Sequence, residues 1–220
     1  MRLTILLMDG FTALDIVGGY EVLANVPGTE TEFAAQAQGL VWADSRRLAL
    51  HAWRSFAELS STDILYVPGG PGVAAALNDN EMIETIRRLH ETSTWTVGIC
   101  NGVELLGRAG LLDGKQVTTN WGCRDRVRAY GAAVNSQRFH RDGKLVTGAG
   151  VSASIDAGLF LVQLLRGPEL AATLQLGIEY YPAPPLPYRS PEEAPAQSQA
   201  LIRHNEQNGP RRIKALRPPV

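Results

Sequence analysis

Apolar segments and amphipathic segments alternate along most of this chain. Short runs of apolar, often β-branched residues predict strands at residues 2–7, 64–67 and 94–99. Between the strands, apolar residues recur at helical spacing, most clearly at residues 81–92 and in a long buried helix at 152–166. Strands that alternate with helices favour an α/β fold with a largely parallel sheet.

Shorter elements continue this alternation. Residues 32–38 and 48–53 are predicted strands, and we expect them to pair as a hairpin at an edge. Residues 138–147 predict a second hairpin around a tight Asp-Gly turn. The remaining predicted elements are helices at residues 13–24 and 102–109 and strands at residues 116–118 and 133–135.

The pattern changes after Glu179, where six prolines up to residue 195 exclude a regular helix or a central strand. We therefore predict a single domain at residues 1–180 and a proline-rich arm at residues 181–220. Such an arm is either solvated or placed across a partner subunit, and we expect the partner contact. From residue 206 onward the composition indicates disorder or a loosely held end.

The composition limits the possible partners and compartments. The chain has 220 residues, of which 45% are hydrophobic and 20% are charged, as expected for one globular domain with a substantial core. A formal net charge of -1 argues against nucleic-acid binding, and no apolar run has transmembrane length. Cys100 and Cys123 form no disulfide framework, which favours a reducing cytoplasm. We expect a small-molecule partner and neither nucleic acid nor membrane.

The most informative segment places a thiol where a buried strand gives way to a helix. Cys100 stands between Gly98 and Gly102, and small residues on both sides permit the sharp turn of a nucleophile elbow. At a helix N-terminus, the macrodipole and the backbone N–H groups favour the thiolate. A buried, inert cysteine is the alternative interpretation.

Three other segments are expected at the same edge of a parallel sheet. Asp15, at the start of the first helix, is either a helix cap or first-turn residue or a general acid and base for the thiol. In the glycine-rich loop at residues 69–72, an N–H opposite that of Asn101 would complete a two-donor oxyanion site. The third segment is residues 118–121, which end a predicted strand.

Other chemistries lack their usual residues. The loop at residues 69–72 has neither the lysine nor the spacing of a phosphate-binding loop, which disfavours a nucleotide. A Cys/His protease or amidotransferase needs a histidine base, and none of the four histidines falls near this edge. Metal-ligand spacing is also absent, so no metal is expected.

Short motifs over most of the chain resemble those of one protein family. They are residues 14–18 (LDIVG), 67–73 (VPGGPGV), 97–100 (VGIC), 109–115 (AGLLDGK), 118–121 (TTNW), 141–143 (RDG), 147–150 (TGAG) and 155–156 (ID). The most specific motif is residues 174–185 (LQLGIEYYPAPP). On these motifs the chain resembles the ThiJ/PfpI superfamily, and within it the isocyanide hydratases.

The resemblance implies a flavodoxin-like α/β sandwich, with a mostly parallel central sheet and helices on both faces, and a homodimer. It implies that the Cys100 thiolate attacks the terminal carbon of an isocyanide, that Asp15 moves protons, and that water releases an N-formamide without any cofactor. Backbone N–H groups of Gly70 and Asn101 would hold developing charge. The remaining expected binding residues are Gly69, Asn120, Trp121 and Tyr20.

Three positions depart from the hydratase pattern. The hydratases usually carry threonine directly after the cysteine and histidine before the tryptophan, where this chain has Asn101 and Asn120. Gly19 also replaces an expected proline, and we expect the neighbouring Tyr20 to intrude on the pocket. A thiol-dependent enzyme acting on a carbonyl compound, of glyoxalase-like or biosynthetic type, and a ligand or redox sensor are therefore the alternatives.

Overall fold

The computed structural model describes residues 1–208. Most of its strands belong to one sheet, and two small two-stranded sheets lie outside it. The strands are β1 (Arg2–Leu6), β2 (Glu30–Ala35), β3 (Gly39–Trp42), β4 (Ala49–Ala52), β5 (Arg54–Ser55), β6 (Ile64–Val67), β7 (Trp95–Ile99), β8 (Gln116–Val117), β9 (Ala133–Val134), β10 (Phe139–Asp142) and β11 (Leu145–Gly148).

Helices surround the sheet and complete the predicted α/β architecture. They are α1 (Ala13–Leu23), α2 (Val73–Ala76), α3 (Asn80–Thr92), α4 (Gly102–Arg108), α5 (Arg124–Arg128), α6 (Ala153–Arg166), α7 (Pro168–Gly177) and α8 (Ala196–Asn208). Among the described residues, none of these helices is long and apolar enough to cross a membrane.

The main sheet has seven strands in the order β10-β11-β7-β6-β1-β2-β5. All neighbouring pairs are parallel except β10 and β11, which form the predicted hairpin. Strands β6 and β11 are buried over their whole length, as expected for parallel strands that helices cover on both faces. Helices α1 and α6 pack against each other, and so do α3 and α4. The fold is therefore the predicted flavodoxin-like sandwich.

The hairpin predicted near the sheet edge has a different partner. Strand β4 pairs antiparallel with β3, and β2 lies parallel to β1 inside the main sheet. The prediction was wrong because β3 has only four residues and no alternating pattern that identifies it. The two short strands β8 and β9 also pair only with each other.

The C-terminal region combines an irregular segment with two helices that the sequence did not predict. Residues 180–190 contain no regular helix or strand, in agreement with their prolines. Helix α8 then contacts its own chain, since Arg203 lies 4.9 Å from the centre of the Trp121 ring. Glu192, just before α8, forms an ion pair of 2.9 Å with Arg124. Residues 206–208 continue α8, and the rest of the predicted loose end lies outside the described residues.

His90 makes the stability of this fold depend on pH. Burial, followed by the positive charges of Lys144 and Lys115, lowers the pKa of His90 from 6.5 to about 4. Between these values the unfolded chain binds a proton that the folded chain does not, so the contribution of His90 falls as the pH decreases from 6.5 towards 4. We expect the wild-type melting temperature to decrease over this range and His90→Gln to weaken the decrease.

Thermal melts followed by circular dichroism at several pH values measure this effect. His51→Gln serves as the control, because His51 is an exposed histidine on β4. Identical slopes for wild type and His90→Gln would contradict the assignment.

Candidate active site

Cys100 occupies the sharp turn predicted between a buried strand and a helix. Its φ of 58° lies in the left-handed region, which is uncommon for a residue with a side chain. The Cys100 N–H donates to Gly148 O at 2.9 Å. Thr119 Oγ1 donates to Cys100 O at 2.7 Å. These two bonds, from β11 and from the segment after β8, hold the strained backbone in place.

Asp15 lies in the first turn of α1 with its side chain fully buried. The N-cap of this helix is Thr12, so Asp15 does not cap the helix. Instead, Asp15 Oδ2 accepts a hydrogen bond from the Gly69 N–H at 2.9 Å. A buried carboxylate needs such partners, because removing it from water is costly. The bond joins α1 to the glycine-rich loop.

Three side chains converge on Gly69. A Cβ atom placed on this glycine would lie 2.8 Å from Asp15 Oδ2 and 2.9 Å from Cys100 Cβ. It would also lie within 3.0 Å of Asn101 Oδ1. Cys100, Asp15 and Asn101 therefore surround one small volume that only glycine leaves open at position 69.

Asn101 uses its side chain to bind the backbone of Gly70. The Gly70 N–H donates to Asn101 Oδ1 at 2.7 Å, and Asn101 Nδ2 donates to Gly70 O at 3.0 Å. The expected oxyanion donor at Gly70 therefore has a partner within the protein. Its predicted role stays a prediction, and it requires Asn101 Oδ1 to move away from the Gly70 N–H.

Tyr66 holds the backbone of Asp15 in place, a role that the sequence did not predict. It is fully buried in β6, and its hydroxyl donates to the backbone oxygen of Asp15 at 2.5 Å. Burial and the negative charge of Asp15 raise the pKa of Tyr66 well above its usual range, so it stays a donor. A Cβ at Gly19 would overlap the Tyr66 ring, which accounts for a glycine at that position. The feature of the sequence that could have indicated this role is the Tyr66 hydroxyl, because the other side chains of β6 are apolar.

The other predicted binding residues have different surroundings. Asn120 is buried, and its Oδ1 accepts from the Gly122 N–H at 2.9 Å. Trp121 lies beneath Arg203 at the start of the same turn. Tyr20 packs with its ring 5.5 Å from that of Phe33 in β2, which favours a packing role. Binding roles for these residues stay predictions.

A model of the DJ-1/PfpI family matches residues 1–164. The chain belongs to this family. The matched residues include Cys100 and cover most of the described structure. In the described part of the chain, no group of three or more His, Cys, Asp or Glu side chains is arranged to hold a metal ion.

Curated DJ-1/PfpI relatives include an enzyme and transcriptional regulators. The isonitrile hydratase of Pseudomonas putida is 36% identical over 202 residues, which cover 89% of this chain and 86% of the relative. The HTH-type transcriptional regulator CdhR of Pseudomonas aeruginosa is 28% identical over 76% of this chain. The match covers only 51% of that regulator, so this chain spans about half of its length.

Solved structures of the family agree with this fold. A ThiJ/PfpI family protein from Pseudomonas syringae has a TM-score of 0.88 at 32% identity, covering 92% of this chain and 84% of its own. DJ-1 of Schizosaccharomyces pombe has a TM-score of 0.70 at 20% identity, covering 83% of this chain and 100% of its own. The second likeness concerns the fold alone.

The convergence on Gly69 predicts a large effect of one methyl group. In Gly69→Ala the new Cβ must displace the side chains of Asp15, Cys100 or Asn101. Overpacking of this kind typically costs about 1–3 kcal/mol of unfolding free energy, which urea denaturation measures. Gly177→Ala is the matched control, because a Cβ there meets nothing within 4 Å. Equal stability of the two variants would contradict the described geometry.

Proposed function

We propose that the protein is a cysteine-dependent hydratase that converts an isocyanide into an N-formamide. The observation that carries this proposal is the placement of Asp15 and Cys100 around Gly69. A thiol nucleophile that adds to an electrophilic carbon needs a group that moves protons, and a neighbouring carboxyl group can do so. Relatedness to the isonitrile hydratase of Pseudomonas putida supports the choice of substrate.

In the first step, the Cys100 sulfur forms a bond to the terminal carbon of the isocyanide. The same carbon takes up a proton, delivered through Asp15, and the product is a thioimidate in which sulfur is bound to a CH=N group. No external oxidant, reductant or cofactor enters this step. Cys100 directly precedes Asn101, which is the N-cap of α4. The reacting sulfur therefore lies at the start of this helix, where the helix dipole favours a thiolate.

In the second step, water adds to the thioimidate carbon. The water oxygen forms the new carbon–oxygen bond, its protons go to the nitrogen and to Asp15, and the carbon–sulfur bond breaks. The departing sulfur takes up the proton from Asp15, which restores the thiol, and the N-formamide leaves. Thr119, which bonds to Cys100 O, is followed by Asn120 and Trp121. We propose that these two residues form a wall of the substrate site.

We further propose that the protein acts as a homodimer in a reducing compartment such as the cytoplasm. Leu14 and Val17 project from α1 with 41% and 39% of their surface exposed, on both sides of Asp15 in the sequence. Apolar surface of this kind is often covered by a partner. A reducing compartment would keep Cys100 as a thiol.

The hydratase proposal is tested by incubating the protein with phenyl isocyanide and measuring N-phenylformamide. We expect turnover by wild type, no detectable turnover by Cys100→Ala, and a loss of about 10²–10⁴-fold in Asp15→Asn, as is typical when a general acid or base is removed. The matched controls are Cys123→Ala, at the second buried cysteine, and Asp125→Asn, at an exposed carboxylate.

Two outcomes would contradict separate parts of this proposal. Absence of formamide with wild type would reject isocyanide hydration. Turnover retained in Cys100→Ala would reject the nucleophile and leave the reaction type standing.

The dimer proposal is tested by size-exclusion chromatography with light scattering. We expect a wild-type mass of twice that of one chain. Val17→Asp should shift the protein towards the monomer, because it places a charge among the exposed apolar side chains of α1. A wild-type mass of one chain at micromolar concentration would contradict the dimer.

A further inference from the structure

The carboxamide of Asn101 makes two hydrogen bonds to the backbone of Gly70. Its Oδ1 accepts from the Gly70 N–H at 2.7 Å, and its Nδ2 donates to Gly70 O at 3.0 Å. Oδ1 also lies beside the Cys100 Cβ and the Asp15 carboxylate, since all three atoms approach the Cβ position of residue 69. The N–H of Gly70, the residue after the glycine that Cys100 and Asp15 surround, is therefore directed to a side chain of the protein.

Residues 10–12 also hold the glycine-rich loop in position. On the opposite side, the Thr12 N–H donates to Gly69 O at 2.9 Å, and the Gly72 N–H donates to Gly10 O at 3.1 Å. The backbone of Gly70, with a φ of 139°, packs so closely that a Cβ would lie 2.5 Å from Thr12 N. Contacts with residues 10–12 therefore hold the loop in addition to the two Asn101 bonds.

We propose that Asn101 is a specificity-determining residue that withholds the Gly70 N–H from substrates. This inference rests on the proposed hydratase function and adds a reason for its choice of substrate. A carbonyl compound needs the N–H when it adds to Cys100, whereas the addition of an isocyanide to Cys100 does not. The Asn101 carboxamide thereby selects against carbonyl substrates.

The difference lies in where the negative charge develops. When a thiolate bonds to an aldehyde carbon, the electron pair of the C=O bond moves to oxygen. The resulting alkoxide, and the thiohemiacetal hydroxyl formed when it takes up a proton through Asp15, accept hydrogen bonds from nearby donors. In the proposed hydration, the carbon that bonds to sulfur also takes up a proton, and oxygen arrives later as water. No oxygen is bonded to that carbon when the sulfur bond forms, so formation of the thioimidate does not require the Gly70 N–H.

The magnitude of this selection is large enough to measure. Removal of one oxyanion donor typically lowers kcat by about 10²–10³-fold in enzymes that use one. A donor released by shortening Asn101 should therefore strengthen the binding of an aldehyde by at least tenfold.

The experiment compares the full-length wild type with Asn101→Ala and Asn101→Thr, both of which lack the carboxamide. The dissociation constant of benzaldehyde, which forms a reversible thiohemiacetal, is measured by calorimetry, with Cys100→Ala as the blank. Phenyl isocyanide turnover is measured on the same samples. Asn25→Ala is the matched control, because Asn25 is an exposed asparagine whose side chain also bonds a backbone oxygen.

We expect benzaldehyde to bind at least tenfold more tightly to both Asn101 variants and equally to wild type and Asn25→Ala. Equal affinity in all of these proteins, including no measurable binding to any, would overturn the inference. If one Asn101 variant fails to fold, the other is read in its place, and failure of both would assign Asn101 a structural role and overturn the inference. Absence of formamide from wild type would reject the proposed function alone, because benzaldehyde binding needs no turnover.

Discussion

A carboxylate without exposed surface has to receive hydrogen bonds from the protein, and Asp15 receives one from the Gly69 backbone. This requirement brings the first turn of α1 against the loop after β6, because the Gly69 N–H is the donor. The loop in turn lies against the turn after β7, where Cys100 is located. One buried charge thus couples three segments that are far apart in the chain, and the arrangement of the site follows from satisfying it.

The strained backbone at Cys100 is the second requirement, and it is met from the other side of the site. Gly148 and Thr119 bond the peptide groups on either side of the Cys100 side chain. Two independent sets of contacts therefore hold the segment that carries the thiol. One set comes from segments that precede Cys100 in the chain, and the other comes from segments that follow it. A positive φ persists only when its surroundings fix it in this way.

The sequence predicted those parts of the molecule in which a local pattern decides the outcome. Strand β6 matches its predicted bounds because four consecutive apolar residues are buried on both faces. The partner of β4 could not be predicted in the same way, since pairing depends on contacts between distant segments. Helix α8 was missed because its sequence is polar and follows a proline-rich segment.

Prediction of the site has the same limit. The elbow at Cys100 and the acidic residue at Asp15 follow from residue types at the ends of predicted strands and helices. The bond from Tyr66 to Asp15 O and the carboxamide of Asn101 on Gly70 do not, because each joins a side chain to the backbone of a different segment. Hydrogen bonds of this kind have no periodicity that a sequence displays.

The contacts of Cys100 also determine when its turn can form during protein synthesis. The residues that surround Gly69 all lie before residue 102, yet the Cys100 N–H finds its acceptor only at Gly148. Trp121 meets Arg203 later still. A chain that is still emerging from the ribosome therefore contains its thiol before the turn around it is fixed, and the completed turn depends on residues translated after it.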